Sequence, residues 1–207
     1  MKKVIFLFIL IIRINTFVFS QSESWLHFGF ENSNFFERAL IKEKIEKSYL
    51  YSPGINLSLY KFWNNKNIGF FNQFTITSPL IGFQKIDEDN VDVIYLHCGF
   101  ILGPGFKYQL NEKLIFKYGI GLEILTINSL SGIDINFGIG SDIGIKYNIT
   151  DLYFINIGSI FTIDFAQYKI NTIRRIIFDL DYGWAKNYSM IGIRPYISCG
   201  INIKREE

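Results

Sequence analysis

From Ile133 to Tyr147 the chain alternates between two kinds of residue with a period of two. Odd positions carry Ile133, Ile135, Phe137, Ile139, Ser141, Ile143, Ile145 and Tyr147. Even positions carry Asp134, Asn136, Gly138, Gly140, Asp142, Gly144 and Lys146. Successive side chains of a strand point to opposite faces, so this segment presents one greasy face and one small or charged face. A helix would mix the two sets on every turn. The same alternation returns in 114–126, 152–165 and 190–204, and less cleanly in 24–31, 49–62, 67–77 and 92–108. A ninth segment, 173–184, sets Ile176, Phe178, Leu180 and Tyr182 against Asp179 and Asp181.

A soluble sandwich also alternates, and three features separate the alternatives. These strands are longer than the usual soluble strand of roughly 5–6 residues and match the roughly 9–11 that a tilted spanning strand needs. Their polar face is mostly glycine and isolated charges, which suits a narrow lumen better than a solvated surface. Short turns at 63–66, 110–113 and 148–151 also alternate with longer connections near 32–47, 78–90, 127–132 and 166–188, the pattern of periplasmic turns and outer loops. The expectation is an all-β, eight-stranded antiparallel up-and-down transmembrane β-barrel with both termini in the periplasm. In it, 173–184 belongs to the fourth outer loop as an extension above the membrane. The alternative is ten strands, with another in 32–47, although Ser33 to Lys42 reads as more helical than extended.

The chain's start fits export. Met1-Lys2-Lys3 is a positive n-region, Val4 to Ile12 an apolar run too short to span a bilayer, and Val18 and Ser20 stand at −3 and −1 of a cleavage site before Gln21. Residues 1–20 are therefore expected to be a secretory signal peptide and 21–207 the barrel. Three of the 21 basic residues (Lys2, Lys3, Arg13) lie in this leader, leaving 18 against 19 acidic residues. That balance excludes a globally basic chain steered to nucleic acid. Cys98 and Cys199, 101 positions apart, give neither a metal pattern nor a disulfide framework. No cofactor or metal is expected.

Strand parity selects the inward charges Lys117, Glu123, Asp134, Asp142, Lys146, Asp164 and Arg194. A symmetric 127–132 loop would set Lys117 opposite Asp142. Charges in a narrow lumen must pair, because an unpaired one costs several kcal/mol. Gly99, Gly119, Gly121, Gly138, Gly140 and Gly158 also face inward and are expected to leave the bore open enough for a narrow channel to be an alternative. Trp25, Trp63, Tyr60, Tyr108, Tyr147 and Tyr153 are expected in aromatic girdles at the membrane boundary. His27 and His97 fall inward, yet there is no Gly-x-Ser-x-Gly, no His-Glu-x-x-His and no phosphate loop. Catalysis is not expected, and His97 would be the participant in a second alternative, a lipid-modifying enzyme.

Gly105-Phe106-Lys107-Tyr108 returns 39 positions later as Gly144-Ile145-Lys146-Tyr147, each copy ending a strand at a turn, and 192–203 reads as a closing strand. In these features the chain resembles small outer-membrane β-barrels of spirochaetes and other diderm bacteria, of the outer-membrane-protein-A transmembrane and outer-membrane-protein-W kind. The resemblance implies an outer-membrane location, lipid and the barrel-insertion machinery as partners, and a structural or surface role in which the loops contact an extracellular ligand. If the leader is cleaved as expected, mass spectrometry of the membrane-extracted protein will find Gln21 as its first residue. A product retaining Met1 would refute the assignment.

Overall fold

A computed structural model describes residues 22–41, 44–63, 66–77, 83–86, 90–129, 132–171 and 182–204. Ten strands follow in chain order: β1 Ser22–Ile41, β2 Lys44–Trp63, β3 Ile68–Thr77, β4 Phe83–Ile86, β5 Asn90–Gln109, β6 Leu114–Ser129, β7 Gly132–Asn148, β8 Tyr153–Asn171, β9 Tyr182–Trp184 and β10 Lys186–Lys204. Eight of them form a closed antiparallel ring in the order β1-β2-β3-β5-β6-β7-β8-β10, with β10 returning to β1. The other two are short additions at one end: β4 bridges β2 and β5 beyond the tip of β3, and β9 pairs with β8. The eight-stave ring is therefore the architecture, and neither short strand adds a stave.

The ring is staggered. Paired residues followed once around it, Leu26, Leu59, Asn72, Leu102, Leu122, Ile139, Ile163 and Ile191, lead back to β1 at Phe36, ten residues beyond Leu26. Such a stagger tilts the strands and sets the bore, which for eight staves is just wide enough for side chains to fill. The two faces separate by parity. Phe30, Leu122, Ile139, Ile157, Ile163 and Ile197 stand exposed on the outside, while the alternate residues are buried within.

Both ring termini and all three short turns lie at one end, the turn end. Asn111 Oδ1 accepts the backbone N–H groups of Lys113 (2.9 Å) and Leu114 (2.8 Å), and Thr150 Oγ1 accepts that of Tyr153 (2.9 Å). These residues hold equivalent places in the 39-residue repeat. The repeat is thus hairpin chemistry, in which a short polar side chain closes the turn on its own backbone.

Several expectations about the other, loop end need correction. Segment 32–47 is extended: β1 runs to Ile41 and β2 starts at Lys44. Tyr49 Oη donates to Asn34 Oδ1 (2.6 Å) and Ser48 Oγ to Glu37 Oε2 (2.6 Å) across the pair, and Phe35 is buried. The 127–132 connection is shorter than expected, since β6 reaches Ser129 and β7 begins at Gly132. Segment 78–90 contains β4, and 166–188 contains the end of β8, β9 and the start of β10. The signal peptide and most of 173–184 lie outside the described residues.

Two irregularities shape this end. Phe137 pairs with Ala166 and Gly138 with Asp164, so Phe165 is an extra residue and the inward parity of β8 changes from even to odd above it. That β-bulge is why the alternation in the sequence stops at 165 although the strand continues. In β10 the register to β1 slips near Asn187, whose φ is 50°, a conformation asparagine tolerates better than most residues.

Three inward glycines receive rings and aliphatic groups from staves one or two places away. A Cβ built on Gly119 would lie 2.7 Å from the Phe71 ring, and Gly140 and Gly158 are similarly filled by Ile101 and Tyr196. Gly119→Val is therefore expected to destabilise the barrel by about 1–3 kcal/mol. Pairing it with Phe71→Ala should return part of that loss, which urea titrations in detergent micelles would measure. Additive losses would show that the two positions do not meet.

Candidate functional site: the filled lumen and its mouth

Inward side chains from all eight staves stack along the axis in layers. At the turn end lies an aromatic plug. Trp25 and Phe62 stand 4.5 Å apart and Tyr60 and Phe71 5.2 Å, centroid to centroid. The two lysines of the repeat enter here. Lys146 Nζ sits 4.2 Å from the Trp25 ring and 4.6 Å from Phe154, with Asn148 Oδ1 accepting at 2.7 Å. Lys107 is ion-paired with Glu23, which also accepts from Trp25 Nε1 (2.7 Å). Cation–π contact with several rings is a way to hold an ammonium where few carboxylates reach.

One layer further in, Asp142 gathers three donors. Tyr60 Oη donates to Oδ2 (2.6 Å), Tyr196 Oη to Oδ1 (2.7 Å), and Lys117 is ion-paired with the same carboxylate. These four residues come from β2, β10, β6 and β7, so one carboxylate ties half the staves together across the bore. Beyond it, Arg194 Nη2 binds Glu123 Oε1 at 2.6 Å, both side chains buried. Glu31 accepts from Ser33 (2.8 Å) and Thr75 (3.0 Å). A second apolar plug, Phe35, Leu50, Leu125, Ile127, Tyr188 and Met190, closes over this belt. Outside it, at the mouth, Gln167 Nε2 donates to Glu37 (3.0 Å), and Lys169 Nζ lies 3.9 Å from both Glu37 and Asp134.

The seven residues selected by parity all project inward, but not as one network. Lys117 with Asp142 and Arg194 with Glu123 make two ion pairs, Asp164 lies beside the second, Lys146 sits among rings, and Asp134 stands at the mouth. Lys117 is not directly opposite Asp142. It pairs in register with Gly144, while Gly119 faces Asp142. With Asn128 opposite Ile133 the register is offset from the expected one, so the pair forms diagonally.

The girdle assignment splits. Tyr108, Tyr147, Tyr153 and Trp63 are exposed on the outer face at the turn end. Trp25 and Tyr60 are 0 % exposed and belong to the inner plug. Trp25 shares the parity of His27, and that parity outweighs its place near a strand end. The bore is narrower than expected at three of the six glycines, since Phe71, Ile101 and Tyr196 stand against Gly119, Gly140 and Gly158.

Sequence reasoning missed Glu31 and Tyr196 as partners, although each shares a strand face with a residue it did select, His27 and Arg194. His27 Nδ1 lies 3.0 Å from Ser198 Oγ, which supplies one element of a nucleophile–base pair. Its Nε2 has no hydrogen-bond partner, so no carboxylate orients the ring, and both residues are buried inside the barrel. A hydrolase needs that orienting group and a path for substrate. His97 packs edge-on against Phe35, 5.1 Å between centroids.

No protein-family model and no curated protein matches this chain. Solved structures do. The outer membrane protein OprG of Pseudomonas aeruginosa superposes with a TM-score of 0.62 at 8 % identity, covering 90 % of this chain and 98 % of OprG. Ail of Yersinia pestis, in complex with the heparin analogue sucrose octasulfate, gives 0.48 at 15 % identity over 88 % and 99 % of the two chains. Neisserial surface protein A gives 0.44 at 11 % identity over 87 % and 97 %. The fold is that of a small outer-membrane β-barrel, and the protein is located in the outer membrane.

Asp142→Asn removes the countercharge of a buried lysine and is expected to cost about 3–5 kcal/mol. Tyr60→Phe should cost about 1–3 kcal/mol. Because they share one carboxylate, the double variant should lose less than the sum. Unfolding free energies from urea titrations would decide it, and strict additivity would place Tyr60 outside the Asp142 cluster.

Proposed function

We propose that this protein is a sealed outer-membrane barrel that acts at the cell surface through its extracellular rim. The observation that carries the reading is that buried side chains cross the lumen at successive levels. An aromatic plug, a belt of ion pairs and a second apolar plug follow one another along the axis. A path for solutes would have to break several buried hydrogen bonds and ion pairs at once, at a cost of several kcal/mol. Function then falls to the parts that the ring holds beyond the hydrocarbon. The strands of the ring other than β3 are 16 to 20 residues long, more than the roughly 9–11 that spanning requires. With short turns at the periplasmic end, the excess projects outward.

The alternatives have less support. The narrow channel was motivated by six inward glycines, and at Gly119, Gly140 and Gly158 a neighbouring side chain takes the space. The lipid-modifying enzyme was to act through His97, which is buried inside the barrel and packs edge-on against Phe35. Export by cleavage before Gln21 and insertion by the barrel-assembly machinery complete the reading. Heavy use of Ile, Asn, Lys and Phe is consistent with a spirochaete-like, AT-rich source.

Planar-bilayer recordings of the refolded, heat-modifiable protein test this function. No discrete conductance is expected at either polarity, whereas reproducible openings would refute the sealed barrel. In cells, deletion is expected to leave small-solute uptake unchanged and to reduce surface binding. The opposite result would favour the channel.

A further inference from the structure

The outer face of the cylinder carries a side chain that hydrocarbon does not suit. On β3, Phe71 and Gln73 are buried inside the bore, so parity turns Asn72 between them outward, where it is half-buried. It pairs in register with Leu59 of β2 and Leu102 of β5. Phe70 and Phe74 flank it on its own strand, and Leu57 and Phe100 stand beside Phe74 on the neighbouring staves.

Its depth follows from the girdle. Trp63 and Tyr108, exposed at the turn end, lie four positions beyond Leu59 on β2 and six beyond Leu102 on β5. Toward the loop end the outer face of β3 and β2 continues through Phe74, Ile76, Leu57 and Ile55. Asn72 therefore sits well inside the apolar band. Lys61, paired with Phe70, stands one step nearer the turn end, where a long stem carries an ammonium toward the headgroups. Among the described residues none hydrogen-bonds to the Asn72 side-chain amide. Asn32, exposed on β1 and paired with Pro53 of β2, adds a second amide on the same side of the cylinder.

An amide has two N–H donors and a carbonyl acceptor, and acyl chains satisfy neither. Polar groups held at membrane depth are costly unless another protein surface meets them, and there they act as glue. The occupant that always brings the matching groups is another copy of this chain. Two barrels inserted the same way are related by a two-fold axis along the membrane normal, and a residue on that axis meets itself. We infer that two copies associate within the bilayer through the outer face of β3, each Asn72 Nδ2 donating to the Oδ1 of its counterpart. Phe70, Phe74 and Leu57 pack around the amide pair. Two convex cylinders touch along a narrow strip, so the association is reversible, and it leaves the bore and the rim untouched.

Energy transfer between donor- and acceptor-labelled copies of the refolded full-length barrel, in bilayers of uncharged lipid, tests it. Transfer is expected to rise saturably with the protein-to-lipid ratio, to fall when lipid is added, and to depend linearly on acceptor fraction, as a pair requires. Asn72→Leu suits hydrocarbon and should close normally, shown by heat-modifiable migration, yet need about tenfold more protein per lipid to associate. Asn72→Ala should give the same loss with a smaller side chain. Ser141→Leu, on the outer face of β7 away from β3, should leave association unchanged. Transfer no greater than that of randomly placed barrels, wild-type association in Asn72→Leu and Asn72→Ala, or an equal loss in Ser141→Leu overturns the contact. A curved dependence on acceptor fraction marks a larger assembly and overturns the two-fold pair.

Discussion

Hydrocarbon offers the main chain nothing to hydrogen-bond, and that constraint organises this molecule. Every backbone N–H and C=O in the spanning region must find its partner on a neighbouring strand, so the sheet cannot end. The pairing of β1 with both β2 and β10 meets this condition. With eight staves and a ten-residue stagger, the size of the interior follows from geometry alone. Side chains from nearby staves then collide unless large ones stand beside small ones, and Phe71 against Gly119 is the local form of that rule.

A bore too narrow for bulk water changes how charge is held. In such surroundings an ion pair survives when its geometry is good and the remaining lone pairs are also satisfied. Asp142 meets both conditions through Tyr60, Tyr196 and Lys117. Leucines at these positions would fill the same space but would not specify which staves face each other. A carboxylate that accepts from three staves rewards only the correct register. Lys146 of the repeat takes the other solution, resting over Trp25 and Phe154 while Asn148 Oδ1 accepts from it.

Much of this was legible in the sequence, and the failures have physical causes. Parity alone separates lumen from lipid on β6, β7 and β10, since one of their faces is in hydrocarbon and the pattern there is strict. Beyond the membrane both faces meet water, and the pattern weakens. Glu37 points in and Arg38 out, so 32–47 carries charge on both faces and reads as something other than strand. Phe165 defeats the method differently, because a single inserted residue reverses which positions face inward. Trp25 and Tyr60 show a competing cue. An aromatic near a strand end suggests the girdle, but the strict parity of β1 and β2 places both rings inside. Glycine was read as empty space when each one marks a neighbour's bulk, information that resides on another strand.

The ends of the barrel are unlike each other, and the plug explains why that matters. Lys107, Lys117 and Lys146, with Glu23 and Asp142, lie toward the turn end, whereas Glu31, Glu37, Glu123, Asp134 and Asp164, with Arg194 and Lys169, lie toward the loop end. In an open pore such a gradient would act on ions passing through. Here the Phe35, Leu50, Leu125, Ile127, Tyr188 and Met190 cluster separates the mouth from the deeper belt. The side chains that close the bore thus form the floor of the mouth. Sealing the lumen and flooring the mouth are in this way consequences of one packing arrangement.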